Sequence, residues 1–101
     1  MFEYTKEQLA AWKRKHGDNN VFEVAFGDKK AVLHKPTRQD LSYATAGSNQ
    51  GKDAMKFSEL LLKQCWIDGD KEIIEDDEYF FGVIPNLSAL TEIKEAEIKK
   101  L

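Results

Sequence analysis

The chain has 101 residues, 42% of them hydrophobic and 33% charged, with only two prolines and a formal net charge of −3 at pH 7. This length and composition predict a single domain and argue against wholesale disorder. No apolar run approaches the roughly 20 residues that span a bilayer, and a net acidic chain is poorly suited to neutralising the phosphates of nucleic acid.

The cysteine content and the N-terminus indicate a cellular compartment. The single cysteine, Cys65, cannot form an internal disulfide and fits a reducing environment. The first residues lack the basic-then-apolar layout of a secretory signal. We therefore expect a cytoplasmic protein that binds neither nucleic acid nor a membrane.

The first predicted element is an N-terminal helical extension over residues 1–20. Thr5 and Gln8 have the spacing of a capping box at the start of this helix. Gly17 supplies the residue type that commonly ends one. The extension is therefore expected to be a complete helix with its own start and stop.

A β-hairpin is predicted after the extension. Alternating segments at residues 21–26 and 30–34 indicate two antiparallel strands, joined by a loop of Gly27, Asp28 and Lys29. One face of the first strand is expected to contain Phe22, Val24 and Phe26. Since a single hairpin is only marginally stable in water, helices must cover this apolar face.

A second helix is predicted to begin after Pro36. Thr37 can cap this helix, with Asp40 three residues later as its partner. The segment 47–53, which is rich in residues that favour turns, predicts a flexible loop. It is not a domain boundary, because neither side is long enough to fold alone.

Further helical segments complete the predicted fold. The third helix runs from near Asp53 to about Ile67, is ended by Gly69 and carries a broad apolar stripe. After an acidic run, residues 79–85 predict a short helical turn and residues 86–101 a last helix. The last helix is expected to face the core with Leu87, Leu90 and Ile93. The expected architecture is α+β, with one antiparallel β-hairpin packed against about four helices in a single domain over residues 1–101.

Residues 68–78 form an acidic run with seven acids and one base. An EF-hand loop starting at the first of these acids would need glycine at its sixth position and glutamate at its twelfth, where this chain has Ile73 and Tyr79. A weak divalent-cation site and paired carboxylates for acid–base chemistry stay open as alternatives. We favour the simpler interpretation that Asp76 or Asp77 caps the next helix and that the remaining acids are solvated.

Soft metal ligands are few in this chain. Cys65, His16 and His34 do not have a spacing typical of zinc sites. Cys65 falls in the apolar stripe of the third helix and is expected to be a small buried hydrophobe, while His34 is expected to be a partly exposed structural residue. We expect no catalytic residue, no bound metal and no cofactor, and therefore a protein that is not an enzyme.

Three consecutive aromatic residues follow the acidic run. On a helix, Tyr79, Phe80 and Phe81 cannot all face one core, so at least one should be partly exposed. An exposed aromatic beside an acidic rim resembles a protein-binding patch, although the domain could instead wrap around all three. We predict contact with a protein partner, or with a second copy of the chain, through Trp66, Tyr79, Phe80 and Phe81.

Three segments together resemble a known class of proteins. They are "AVLHKPTRQDLSYA", "MKFSELLLKQCWIDGDKEIIEDDEYFFGV" and "LTEIKEAEIKKL". They are similar to the tail assembly chaperones encoded in the tail-gene regions of tailed phages and prophages. The similarity covers about residues 21–101, and "CWIDGDKEI" is its most distinctive part.

The resemblance implies a non-catalytic protein that acts in the cytoplasm of the bacterial host. Such a chaperone binds the long tape-measure protein and keeps it soluble while tube subunits polymerise around it. The family brings no catalytic motif to this chain. A different class of function also stays open, namely a structural virion component such as a tail-completion or head–tail connector subunit.

Overall fold

A three-stranded antiparallel sheet organises the computed structural model of the protein, which describes residues 2–90 and 96–101. In chain order the elements are α1 (Lys6–His16), β1 (Val21–Phe26), β2 (Lys29–His34), α2 (Arg38–Gly47), α3 (Ala54–Cys65), β3 (Trp66–Gly69), α4 (Glu72–Glu75) and α5 (Asp77–Leu90). The strands lie in the order β1-β2-β3. The predicted α+β class is confirmed. Within the described residues, no helix is long and apolar enough to cross a membrane.

The N-terminal helix α1 begins and ends as predicted. Thr5 Oγ1 accepts a hydrogen bond from Gln8 N at 3.1 Å, and Gln8 Oε1 accepts one from Thr5 N at 2.8 Å. Gly17 follows the last residue of α1 with a φ of +103°, a conformation that favours glycine. No residue of α1 is buried, so this helix lies on the sheet without entering the core.

The hairpin has a tighter loop than predicted. Phe26 pairs with Lys29, so the loop contains only Gly27 and Asp28. Gly27 has a φ of +60°, as the first loop position of a two-residue hairpin often requires. The pairing of Val24 with Ala31 and of Phe22 with Leu33 places these four side chains on one face.

The prediction that the third helix reaches Ile67 is wrong. Helix α3 ends at Cys65, and Trp66 has φ −68° and ψ 123°, which is extended backbone. Trp66 then pairs with Leu33 of β2, and this pairing adds a third strand to the sheet. The apolar stripe of α3 continues through these residues in the sequence, so nothing local distinguishes strand from helix.

Gly69 is the last residue of β3 and does not end a helix as predicted. It pairs with Ala31 and has a φ of +155°. A Cβ atom at this position would lie 2.6 Å from Ala31 Cα and 2.8 Å from Lys30 O, both of which are backbone atoms. The close approach of the two strands therefore requires glycine.

Helix α5 continues through the point where a stop was predicted. Both Gly82 and Pro85 lie inside it, although proline removes one hydrogen bond from a helix interior. The helix is held by one buried face with helical spacing, which contains Phe80, Val83, Leu87 and Leu90. Residues 96–101 are not helical, so the prediction of a helix up to Leu101 is wrong there, and Ile93 lies outside the described residues.

The hydrophobic core lies between one face of the sheet and helices α2, α3, α4 and α5. Its least exposed members include Ala31, Leu33, Ala44, Leu62, Cys65, Ile73 and Val83. Val32 is also buried, at 1% exposure, but it belongs to the opposite face, where it pairs with Glu23. Both faces of the sheet are therefore covered: one by the core helices, the other by α1, which has no buried residue.

The second capping box is also confirmed, and the segment after α2 is a hydrogen-bonded turn. Thr37 and Asp40 exchange hydrogen bonds of 2.9 and 3.2 Å. Ser48, which is 1% exposed, donates its hydroxyl to Ala44 O at 2.6 Å. Asp53 N donates to Ser48 O at 3.1 Å and closes the turn. The mobility of residues 47–53 stays a prediction.

Candidate functional site

The four predicted partner-binding residues differ widely in exposure. Phe81 is 54% exposed, whereas its neighbour Phe80 is 7% exposed and belongs to the core. Trp66 and Tyr79 are half-buried. The expectation that at least one residue of the aromatic triplet is exposed is therefore confirmed for Phe81.

Two adjoining depressions connect most of these aromatic residues. One, of about 480 Å³, contains Met55 of α3 with Phe80 and Phe81 of α5. The other, of about 430 Å³, contains Trp66. They share Lys63, Ile74 and Glu75. We call the two together the aromatic groove.

Tyr79 does not line the aromatic groove. Its ring meets that of Phe26 edge-on, with the ring centres 5.5 Å apart and an interplanar angle of 74°. Tyr79 thus packs against the first strand of the sheet. The structure brings together Trp66, Phe80 and Phe81 and leaves Tyr79 outside.

The rim of the aromatic groove is acidic. Glu59 is paired with Lys63 at 3.0 Å, and this hydrogen bond lowers the pKa of Glu59. Glu75 and Asp77 also line the groove, and no ion pair to either occurs in the part of the chain that the structure describes. Lys71 lines the depression around Trp66, so the groove combines an apolar floor with an edge where acids outnumber lysines three to two.

Two residues of the acidic run have defined structural roles: one caps a helix, and the other connects the N-terminal segment to the sheet. Asp76 Oδ1 accepts a hydrogen bond from Glu78 N at 3.0 Å, which is the predicted capping of the helix that follows. Asp70 was expected to be solvated, but its Oδ2 accepts from Lys30 N at 2.9 Å and from Phe2 N at 3.1 Å. These two amides lower the pKa of Asp70. Asp70 joins the N-terminal segment to the sheet.

A second group of reactive side chains meets where β2, α2 and α3 converge. One ligand atom from each of His34, Asp40 and Cys65 lies within 4.8 Å of the other two. His34 Nδ1 is 3.8 Å from Asp40 Oδ2. Cys65 is fully buried, as predicted, and its burial raises the pKa of the thiol to about 12.

His16 of α1 covers this group from the outside. Its ring stacks on that of His34 with the centres 4.6 Å apart and an angle of 11°. Partial burial and the nearby His34 lower the pKa of His16. A depression of about 310 Å³ lined by Trp12, His16, His34 and Trp66 opens beside the stacked rings.

The sequence did not reveal this second group because its members come from three separate elements. His34 ends a strand, Asp40 stands in the first turn of a helix and Cys65 ends another. The one available signal was the capping box, which holds Asp40 against Thr37, only three residues after the strand ends at His34. That signal fixes the position of Asp40 but not what faces it.

Comparison with known proteins gives no further guidance to function, because no family, no curated protein and no solved structure matches this chain.

Proposed function

We propose that this protein is a non-catalytic phage morphogenesis factor, a tail assembly chaperone that holds a helical segment of the tape-measure protein in its aromatic groove. The proposal places it in the host cytoplasm. It rests on the resemblance carried by "CWIDGDKEI" and on one structural observation. That observation is the apolar groove with an exposed aromatic side chain at an acidic rim.

The chemistry of the groove indicates what kind of segment it would take. Phe81 and Met55 are 54% and 50% exposed, and together with Trp66 they offer apolar contacts to one face of a helix. Aromatic residues in such positions often supply most of the binding energy of an interface. Glu75 and Asp77 favour a partner with Lys or Arg beside its apolar face. The matching segment is an amphipathic helix with flanking basic residues.

The burial and protonation of the Cys65 thiol support a non-catalytic role. Cys65 is fully buried, and in the metal-free chain its raised pKa of about 12 keeps the thiol protonated at neutral pH. A buried thiol attacks substrates poorly, because the thiolate is the reactive form.

The test is co-expression of the protein with the tape-measure protein encoded in the same tail-gene region. We expect the chain to keep the tape-measure protein soluble and to co-purify with it. Phe81→Ala should weaken this binding by about 2 kcal/mol, or roughly 30-fold in dissociation constant, as for a central aromatic contact. Isothermal titration with the purified tape-measure segment measures the change.

Tyr43→Ala is the matched control. Tyr43 is 55% exposed, almost the same as Phe81, but it lies on α2 and does not line the groove. Both substitutions should change the free energy of unfolding by no more than about 0.5 kcal/mol, since neither side chain is buried. Equal loss of binding in the two variants, or no binding by the wild-type chain, contradicts the proposal.

The structural-component alternative predicts a different location for the protein. A permanent ring subunit is present in purified particles at a fixed ratio, whereas an assembly chaperone leaves before the particle is complete. Quantitative mass spectrometry of purified particles separates the two. Recovery at a fixed stoichiometry would replace the chaperone proposal with the structural one.

A further inference from the structure

Both ring nitrogens of His34 face oxygen atoms. Nε2 lies 2.9 Å from Gln64 O, and Nδ1 lies 2.9 Å from Lys35 O and 3.8 Å from Asp40 Oδ2. Carbonyl oxygens only accept hydrogen bonds, and a neutral imidazole carries a single N–H. If Nε2 donates to Gln64 O, Nδ1 is satisfied either by a proton that it donates to Lys35 O or by a metal ion that displaces this contact.

The surroundings of His34 are those of a metal ligand. A histidine that binds a metal through one nitrogen usually donates the other N–H to a carbonyl or a carboxylate, as Nε2 can do here to Gln64 O. Asp40 is held in the same way, because its Oδ2 accepts from Thr37 N at 2.9 Å. Two of the three candidate ligands are thus oriented by a second contact.

We propose that His34 Nδ1, the Asp40 carboxylate and Cys65 Sγ bind a zinc ion, with a water molecule as the fourth ligand, and that the ion stabilises the junction of β2, α2 and α3 rather than catalysing a reaction. Sulfur and imidazole nitrogen select zinc over calcium or magnesium, which prefer oxygen ligands. Bonds of about 2.0–2.3 Å in a tetrahedral site place ligand atoms roughly 3.5 Å apart. The ligand atoms here lie within 4.8 Å of one another, so small side-chain rotations close the site.

The charge balance suits a buried centre. Zinc binding breaks the S–H bond of Cys65, forms an S–Zn bond and releases the thiol proton to the buffer, together with any proton that Nδ1 of His34 held before. The zinc ion with one thiolate, one carboxylate and one neutral imidazole then has no net charge. Neutrality matters because an unbalanced charge is costly to bury, and both Asp40 and Cys65 are buried.

The site has a route to solvent. The depression beside the stacked rings reaches His34, whose side chain is 13% exposed. The Asp40 side chain is 12% exposed, and Cys65 is fully buried. A zinc ion can therefore approach His34 from the depression beside His16.

The test is titration of the untagged, reduced and chelator-treated protein with zinc and with cobalt(II). We expect one metal per chain and a rise in melting temperature of roughly 10 °C at a hundredfold excess of zinc over its dissociation constant. Cobalt should give the intense near-ultraviolet absorption of a thiolate–cobalt bond. An untagged chain is needed, because a histidine tag would itself bind both metals.

Three variants locate the metal. Cys65→Ala should abolish the thiolate–cobalt absorption, and His34→Gln, at a partly exposed position, should weaken binding at least tenfold. The double variant Asp76→Asn with Asp77→Asn should bind as the wild type does, because it changes only the acidic run. Failure to bind one metal per chain overturns the proposal, as does a cobalt spectrum without the thiolate band. Loss of binding in the double variant alone would also overturn it, since the metal would then lie on the acidic run.

Discussion

The two faces of the sheet are covered in contrasting ways. On one face, Leu33 and its neighbours pack against four helices in a continuous hydrophobic core. On the other, α1 has no buried residue and is attached by separate contacts. Tyr4 donates to Glu23 at 2.8 Å, Phe2 N donates to Asp70, and the rings of His16 and His34 stack.

This difference indicates where the stability of the domain arises. Burial of apolar surface supplies most of the free energy of folding, whereas exposed hydrogen bonds contribute little each. The core face should therefore unfold only with the whole domain, while α1 can separate from the sheet at a lower cost. Three experiments can test this contrast, from the largest expected effect to the smallest.

The largest effect is expected from a truncation in the core. Leu33→Ala removes a side chain with 0% exposure and should lower the free energy of unfolding by about 2–5 kcal/mol. Trp12→Ala, in the half-buried part of α1, should cost only about 1 kcal/mol despite the larger side chain. Urea denaturation measures both, and an equal loss would show that the two faces are held equally well.

The two capping boxes provide a closer comparison. Thr37→Ala should lower the free energy of unfolding by about 1 kcal/mol, as is typical for the loss of a helix cap. Thr5→Ala removes the same kind of cap from α1, and its effect should appear mainly as faster amide exchange within Lys6–His16. Hydrogen exchange monitored by mass spectrometry distinguishes the two. Slow exchange throughout α1 in the Thr5 variant would contradict a weakly attached helix.

The smallest effect concerns Asp70 and depends on pH. The folded-state pKa of Asp70 is lowered by the Lys30 and Phe2 amides, so the ionised form stabilises the fold above the ordinary value of 3.8. This contribution is lost as pH falls from that value through the lower folded-state pKa. The melting temperature of Asp70→Asn should therefore lie below that of the wild type near pH 7, and the difference should shrink as the pH falls below 3.8. A difference that stays constant over this range would show that the carboxylate charge is not involved.

Local signals in the sequence predicted much of the fold. The pairs Thr5–Gln8 and Thr37–Asp40 define two helix starts because a capping box depends on residues only three positions apart. Strand β3 could not be predicted in this way, since Trp66 adopts extended backbone only where it meets Leu33 of β2. Pro85 was also misleading, because the buried face of α5 holds the helix together in spite of it.

The candidate sites show the same distinction between local and distant information. The geometry of adjacent residues on a helix predicted that at least one residue of the aromatic triplet would be exposed, but not that it would be Phe81. The proximity of Phe81 to Met55, however, depends on the packing of α5 against α3. The proximity of His34 to Cys65 depends on two elements that are far apart in the chain. The spacing of residues along the sequence does not predict such contacts.

The contact between Gly69 and Ala31 also limits how this sequence can diverge. Position 69 lacks room for a β-carbon, and position 31 is fully enclosed. A larger residue at either position would therefore clash with the other strand unless the sheet changed. Related chains that keep this sheet should retain a small residue at both positions, even where their surfaces have become unrecognisable. A small residue at both positions would therefore mark this sheet better than the acidic side chains on either side of Gly69.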